Sequence, residues 1–266
     1  MMMVSLSSGS KGNCTLVRTD TETILIDCGI TAKKIDEGLK ELGLSLSEVD
    51  AVLVTHEHAD HIRGLKRLMN SYGIPVYTSY GTASGLYGVT KDEYFRYCGD
   101  RIRLISADTD FYIGNTLVRP FRIYHDTMGP LGFRLEQEQA VCGRDVAVCV
   151  MTDCGHYDDY IRENLTGLDA LLIEANHDPE MLMEGPYPMF LKRRIFSDSG
   201  HASNYSCGQL LCEIDSDRLK HVLLGHLSET NNTPQTALQE VLSEYHPGLT
   251  RVTVAPQNGL SDIVRV

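Results

Sequence analysis

The stretch "VTHEHADHIRGL", Val54 to Leu65, places His56, His58, Asp60 and His61 directly behind the apolar run "AVLV". His56 and His58 are two apart, so on an extended segment both imidazoles point to the same side. Asp60 and His61 come at the next turn, where they can face a second ion. Histidine mixed with carboxylate is a ligand set for zinc, manganese or iron. Ile62, Leu65, Leu68, Met69 and Tyr72 follow at helical intervals, which predicts a helix across them and puts the cluster in a strand-to-helix turn. Such a turn exposes side chains on a rigid support. The alternative, a solvated acidic-histidine turn, fits poorly behind an apolar strand.

Composition bounds what such a site serves. The 266 residues are enough to bury a sizeable core and are read as one unit spanning 1–266. Apolar runs such as "AVLVT", "VAVCVMT" and "ALLIEA" fall well short of the roughly 18 residues a membrane span needs, which predicts no membrane partner. The start "MMMVSLSSGSKGN" lacks a basic region followed by an apolar core, which makes the cytoplasm the expected location. The cysteines at 14, 28, 98, 142, 149, 154, 207 and 212 include no CxxC pair and read as reduced thiols. A net charge of −12 argues against whole-surface attraction to nucleic acid but leaves room for a local basic groove. Lys33, Lys34, Arg63, Lys66, Arg67 and "LKRR" at 191–194 are its candidates, with solvated helix faces as the plain reading.

The opening third alternates short strands and helices, the middle reads as consecutive strands, and helices return later between strands. Cys14–Arg18 and Thr23–Asp27 flank the turn "TDTE" as a hairpin. Thr31 offers an N-cap to "AKKIDEGLKELG", where Ile35, Leu39 and Leu42 keep helical spacing and Gly43 ends it. Ala51–Thr55, "DRIRLIS", "DFYIG", "TLVRPFRIYH", "LGFRLE", "VAVCVMTD", "ALLIEA", "HVLLGH" and "RVTVA" read as strands. Helices are expected near 179–195, 204–214 and 233–244. A two-sheet α/β sandwich with helices on its outer faces fits this order better than a doubly wound sheet.

One local cluster cannot close two metal sites, so further ligands are expected at other strand ends. His125 follows "RIY", Asp153 follows "VCVMT" and His226 follows "HVLLG". Any one alone could be a capping or turn residue; recurrence behind apolar runs argues for a shared site. With Asp27 and "HEHADH", these residues resemble the metallo-β-lactamase superfamily. The resemblance implies a four-layer αββα sandwich, with His56, His58 and His125 holding one divalent ion and Asp60, His61 and His226 the other. Asp153 would bridge the two and Asp27 would orient the ligands. Two cations about 4 Å apart lower the pKa of a shared water and neutralise charge on attacking and leaving oxygens. A bridging hydroxide follows, while a lactam, thioester or phosphodiester substrate stays open.

The glyoxalase-like pattern is absent after His125, where "DTMGPLGFRLE" stands instead, and the chain between Asp153 and His226 is too short for a large inserted cap. Cys154, the one candidate for a lactamase-type cysteine ligand, reads better as a small turn residue. "LSSGSKGNC", "LIDCGI", "VTHEHADHIRGL", "LLIEANHDPEML", "YPMFLKRRIFSDSGHASN" and "GHLSETNNTP" are together similar to the YycJ-like (WalJ) family, with Ala202 and Cys154 as departures. That similarity implies 5′-to-3′ exonucleolysis of DNA; DNA ends are the expected substrate, and Asp60, Asp153 and His201 the expected catalytic set. His201, Ser203 and Asn204 open a helix, so capping competes with gripping a phosphate or protonating the leaving oxygen. An analogous histidine of ribonuclease Z favours function for His201. Glu174 and His177 read either as a carboxylate–imidazole pair tuning a ligand or as a structural turn. "GSKGN" is a glycine-rich turn or a nest of backbone N–H groups for phosphate. The rival functions are a ribonuclease Z-like RNA processor, a DNA-end or nucleotide-binding module with structural metals, and a small-ester or thioester hydrolase.

Overall fold

The computed structural model describes residues 1–97, 101–139, 144–214 and 218–266; Cys98 and Cys142 lie outside them. Two mixed sheets face each other. The first runs in the order β14-β1-β2-β3-β4-β5-β6, from β1 (Met2–Ser7), β2 (Cys14–Arg18), β3 (Thr23–Ile26), β4 (Ala51–Leu53), β5 (Val76–Ser79), β6 (Ile102–Ile105) and β14 (Val264–Arg265). The second runs β13-β12-β11-β10-β9-β8-β7, from β7 (Phe111–Ile113), β8 (Thr116–Arg122), β9 (Leu131–Gln139), β10 (Arg144–Met151), β11 (Ala170–Glu174), β12 (His221–Gly225) and β13 (Arg251–Val254).

"TILI", "ALLIE" and "HVLLG" are buried at every position, as strands covered on both faces must be. Alternation assigns the two sides. Ile24, Ile26, Val148, Val150, Ala170 and Leu172 meet in the cluster between the sheets. Cys149, Met151, Leu171 and Ile173 turn outward, under α6 (Asp159–Leu165), α9 (Asn204–Glu213) and α10 (Pro234–Glu244). On the other outer face Leu16, Leu25 and Val52 pack under α1 (Ala32–Glu41) and the segment holding α2 (Ala59–Ile62) and α3 (Leu65–Arg67). The layers are therefore αββα, as expected. β3 to β6 and β10 to β13 pair in parallel, so the chain crosses over between them and returns to the same end of each sheet.

Two helices differ from expectation. The segment after the histidine cluster is not continuous: α2 stops at Ile62, α3 is one short turn, and a wide turn over Leu68–Tyr72 ends at Gly73 with φ +67°. Gly64 gives its N–H to the Cys28 carbonyl, and a Cβ there would lie 2.6 Å from the Ile30 carbonyl, so the chain is pinned to the β3–α1 loop where a helix would have run on. The stretch 179–195 splits into α7 (Pro179–Glu184) and α8 (Met189–Ile195), with Pro186 and Pro188 between them. Sequence periodicity also missed β5 and the following α4 (Tyr80–Thr90), whose glycines blur its apolar face, and α6; α5 (Tyr94–Tyr97) is a single turn.

Candidate metal centre at the strand ends

The ends of β3 and β4 from one sheet and of β8, β10, β11 and β12 from the other converge on one edge. Asp27, Asp153 and His226 each stand just beyond a strand in the left-handed region, with φ of 60°, 59° and 54°. That backbone costs a non-glycine residue on the order of 1 kcal/mol; here it swings each side chain out of the strand direction towards the edge. His226 is held there through its own backbone: its N–H donates to Ser8 Oγ (2.8 Å) and its carbonyl accepts from Asn176 Nδ2 (2.8 Å).

His56, His58 and His125 form one group. His58 Nδ1 lies 3.1 Å from His56 Nε2 and 3.2 Å from His125 Nε2. His56 Nδ1 is 3.0 Å from Thr55 Oγ1, which donates to Asp27 Oδ2, and His125 Nδ1 is 3.2 Å from the Gly200 carbonyl. Each of these two rings thus gives its N–H away from the centre and turns a lone pair inward. Burial lowers the pKa of all three histidines, and for His56 and His58 the neighbouring rings lower it further, which keeps them neutral and able to ligate.

The second group is Asp60, His61 and His226. Asp60 Oδ2 lies 3.4 Å from both His61 Nε2 and His226 Nε2. Asp27 fixes His61 from behind, accepting from Nδ1 at 2.7 Å as well as from the Thr55 N–H and hydroxyl. Burial opposes charge on His61, but Asp153, Asp27 and Asp60 together raise its pKa well above the ordinary histidine value. Burial likewise opposes charge on Asp60, and His61 and His226 outweigh it. Asp153 sits between the groups: Oδ1 is 3.8 Å from His125 Nε2 and 3.5 Å from His226 Nε2, and Oδ2 is 3.3 Å from His61 Nε2.

The donors fit divalent cations. Lone pairs of neutral imidazoles face one another, and Asp153 Oδ2 is buried yet accepts no hydrogen bond. Among the described residues four sets, His56–His58–His125, Asp60–His61–His226, His56–His61–Asp153 and Asp153–Glu174–His201–His226, each keep their ligand atoms within 4.8 Å of one another. In the first group the facing nitrogens repel without a cation, and in the second a divalent ion can take the place of the protons that the carboxylates hold on His61 and His226.

Glu174, from the end of β11, ties this centre to His201. Its Oε1 accepts from His226 Nδ1 and His201 Nδ1, both at 2.8 Å, and its Oε2 accepts from the Ala202 N–H at 3.1 Å. His177 is not brought to this carboxylate. It is buried, its ring stands edge-on to Phe196 at 5.2 Å, and neither ring nitrogen has a hydrogen-bond partner; burial brings its pKa down to about 4. Ser203 caps α9 through the Ser206 N–H, and Asn204 forms a reciprocal amide pair with Asn232. Cys154 directs its buried thiol at the His156 carbonyl, with its pKa pushed up to about 12 by burial, and faces no ligand group.

Sequence reading missed the supports. Asn13 reaches Asp60 Oδ2 (3.4 Å) and His61 Nε2 (3.2 Å), and its backbone N–H donates to the Asp60 carbonyl. The "GSKGN" turn thereby closes on itself, through Gly9 to Asn13, and braces the ligand loop. Gly29 allows the tightest approach: a Cβ there would stand 1.6 Å from the Asp60 carbonyl. Thr55 sat beside the ligand His56, and Asn176 beside the singled-out His177, in quoted motifs, a signal that could have marked them.

Residues 22–226 match the profile of the Beta-lactamase superfamily domain. The chain is 32% identical over 240 residues to the exodeoxyribonuclease YycJ of Bacillus anthracis, covering 89% of this chain and 86% of that protein. It is 32% identical over 243 residues to the exodeoxyribonuclease WalJ of Streptococcus pneumoniae, covering 90% and 86%. Among solved structures, the metallo-beta-lactamase fold protein YhfI from Bacillus subtilis matches with a TM-score of 0.69 over 98% of this chain and 100% of that one, at 16% identity, a likeness of fold. Motifs, layers and comparisons agree: the chain belongs to the metallo-β-lactamase superfamily, in its YycJ-like branch.

Proposed function

We propose that this chain is a metal-dependent phosphodiesterase, a 5′-to-3′ exodeoxyribonuclease built as one domain over residues 1–266 and working in the cytoplasm, where DNA would be its substrate. The observation that carries the hydrolytic reading is the buried Asp153 carboxylate set between two histidine groups at the strand ends. The choice of DNA is supported by relatives named exodeoxyribonucleases that align over about nine-tenths of the chain.

His56, His58 and His125 would hold one ion, Asp60, His61 and His226 a second, with Asp153 shared; zinc, manganese and iron all suit such a set. When bound, the ions supply an activated water and neutralise phosphate charge. Asp27 and Glu174 hold the His61 and His226 rings so that Nε2 of each faces the centre. His201 has a different task. Its Nδ1 is committed to Glu174, and the ring lines the cavity, with Nε2 free of protein partners among the described residues. Burial opposes a charge on His201, but Glu174 and Asp153 raise its pKa, so Nε2 keeps a proton to give to the departing sugar oxygen.

The test is purified protein, loaded in turn with Mn²⁺, Zn²⁺ or Fe²⁺, on end-labelled duplex DNA with either the 5′ or the 3′ end blocked. Loss of nucleotides from the 5′ end, stopped by the 5′ block alone, is expected. No cleavage with any ion refutes the reading. Precursor tRNA in parallel separates it from an RNA-processing role.

A further inference from the structure

The metal centre opens into a cavity of about 460 Å³. Its lining carries Asp60, Asp153, His201 and His226 together with Leu191, Arg194 and Ile195 of α8. These three stand at i, i+3 and i+4, one face of the helix. The basic run "LKRR" is therefore split by helical phase. Lys192 is buried with Nζ on the Met183 carbonyl, Arg193 faces solvent, and Arg194 reaches the cavity. In a chain of net charge −12, Arg194 is the only lysine or arginine on that lining among the described residues.

Its guanidinium is held in place. Nε donates to Asp126 Oδ2 at 2.5 Å and Nη2 to Asp126 Oδ1 at 3.0 Å, a two-pronged pair that fixes the plane of the group. Asp126 is the residue after His125, and its Oδ1 lies 3.6 Å from His125 Nε2, so the pair sets the guanidinium beside the first histidine group. Nη1 makes no hydrogen bond to protein among the described residues, and the side chain is 50% exposed. A positive group with unused donors, oriented by a carboxylate at the rim of a metal cavity, is prepared for an anion with two or more oxygens.

We propose that Arg194, oriented by Asp126, binds a non-bridging phosphate oxygen of the substrate strand beside the metal centre, making α8 the phosphate-binding wall of the site. This rests on the phosphodiesterase reading above. The same oxygens are presented by an internal phosphodiester and by a terminal 5′-phosphate. The motif "YPMFLKRRIF", which supplies no metal ligand, acquires a role: it carries an arginine that offsets phosphate charge from the protein side.

The experiment compares Arg194→Gln and Arg194→Lys with the wild-type protein, each checked for metal content and melting temperature. Binding of duplexes with nuclease-resistant phosphorothioate ends is followed by fluorescence anisotropy across a salt series, with 5′-phosphate and 5′-hydroxyl versions of each duplex. Arg194→Gln is expected to weaken binding about 10- to 100-fold, the loss of charge-assisted hydrogen bonds, and to reduce the slope of log affinity against log salt by about one. Arg194→Lys is expected to restore the slope but only part of the affinity, because an ammonium cannot keep the Asp126 fork and hold phosphate together. A loss confined to 5′-phosphorylated duplexes assigns the contact to the terminal phosphate; an equal loss on both assigns it to an internal diester. Unchanged affinity and slope in Arg194→Gln, with a wild-type protein that binds and cuts DNA, overturns the Arg194 assignment alone. A wild-type protein that neither binds nor cuts DNA refutes the nuclease reading instead.

Discussion

Glu174→Gln tests whether one buried carboxylate couples the metal ligands to the proton donor. Glu174 has three N–H donors on its two oxygens: His226 Nδ1 and His201 Nδ1 at 2.8 Å on Oε1, and the Ala202 N–H at 3.1 Å on Oε2. A glutamine offers a single acceptor oxygen, so its NH₂ must face at least one of those donors, and the remaining bonds lose their charge. Two bonds weakened by about 1 kcal/mol each, and one donor left unmet at about 1–3 kcal/mol, give a total of roughly 3–5 kcal/mol shared between metal affinity, proton donation and stability. The expected share for the metal is a 10- to 100-fold weaker affinity, as for other ligand-orienting carboxylates. The pH profile carries the sharper sign. Burial lowers the His201 pKa and Glu174 is the first group that raises it, so removing the charge lowers it. A donor that must be protonated then fails at a lower pH, and the alkaline limb of kcat moves down. The assay is kcat on labelled duplex from pH 6 to 10, with metal affinity from competition against a chelator. An alkaline limb that stays in place, together with metal affinity within about twofold of wild type, refutes the coupling.

Other consequences are more direct. Asp153→Asn keeps a residue that tolerates the left-handed backbone, so the circular dichroism spectrum should hold while hydrolysis falls to background and bound metal, counted by elemental analysis, drops with it. Gly29→Ala drives a methyl group into the Asp60 carbonyl at 1.6 Å; a destabilisation of about 3 kcal/mol or more is expected, read as a lowered denaturation midpoint. Cys154→Ala should retain the wild-type metal stoichiometry, because the thiol faces the His156 carbonyl and burial holds its pKa near 12. Asn232→Ala removes the amide pair with Asn204 and the bonds to the Ala175 and Asn176 carbonyls and should cost about 1–3 kcal/mol in urea denaturation.

The division between readable and unreadable features follows the range of the forces involved. Strands buried on both faces declare themselves as unbroken apolar runs, so "TILI", "ALLIE" and "HVLLG" were legible, and so were the polar residues just beyond them. α4 was not: its sequence "YGTASGLYGVT" has no clear apolar stripe, and its helix forms because Ser79 caps it and Leu86 packs into the core. The break at Gly64 was equally hidden, since it depends on the Cys28 and Ile30 carbonyls of a loop on another part of the chain.

By itself the amino-acid sequence determined the residue types of the centre, their position at strand ends and the family they mark, because ligand chemistry and strand termination are both local. Only the tertiary structure decided how those residues work together. It turned His177 to Phe196 and left Glu174 to His201 and His226, and it bound Asn13 to Asp60 and Arg194 to Asp126. Those pairs join side chains 19 to 68 positions apart. Their partners were chosen by how two sheets close on a shared edge, and no local period in the chain encodes that choice.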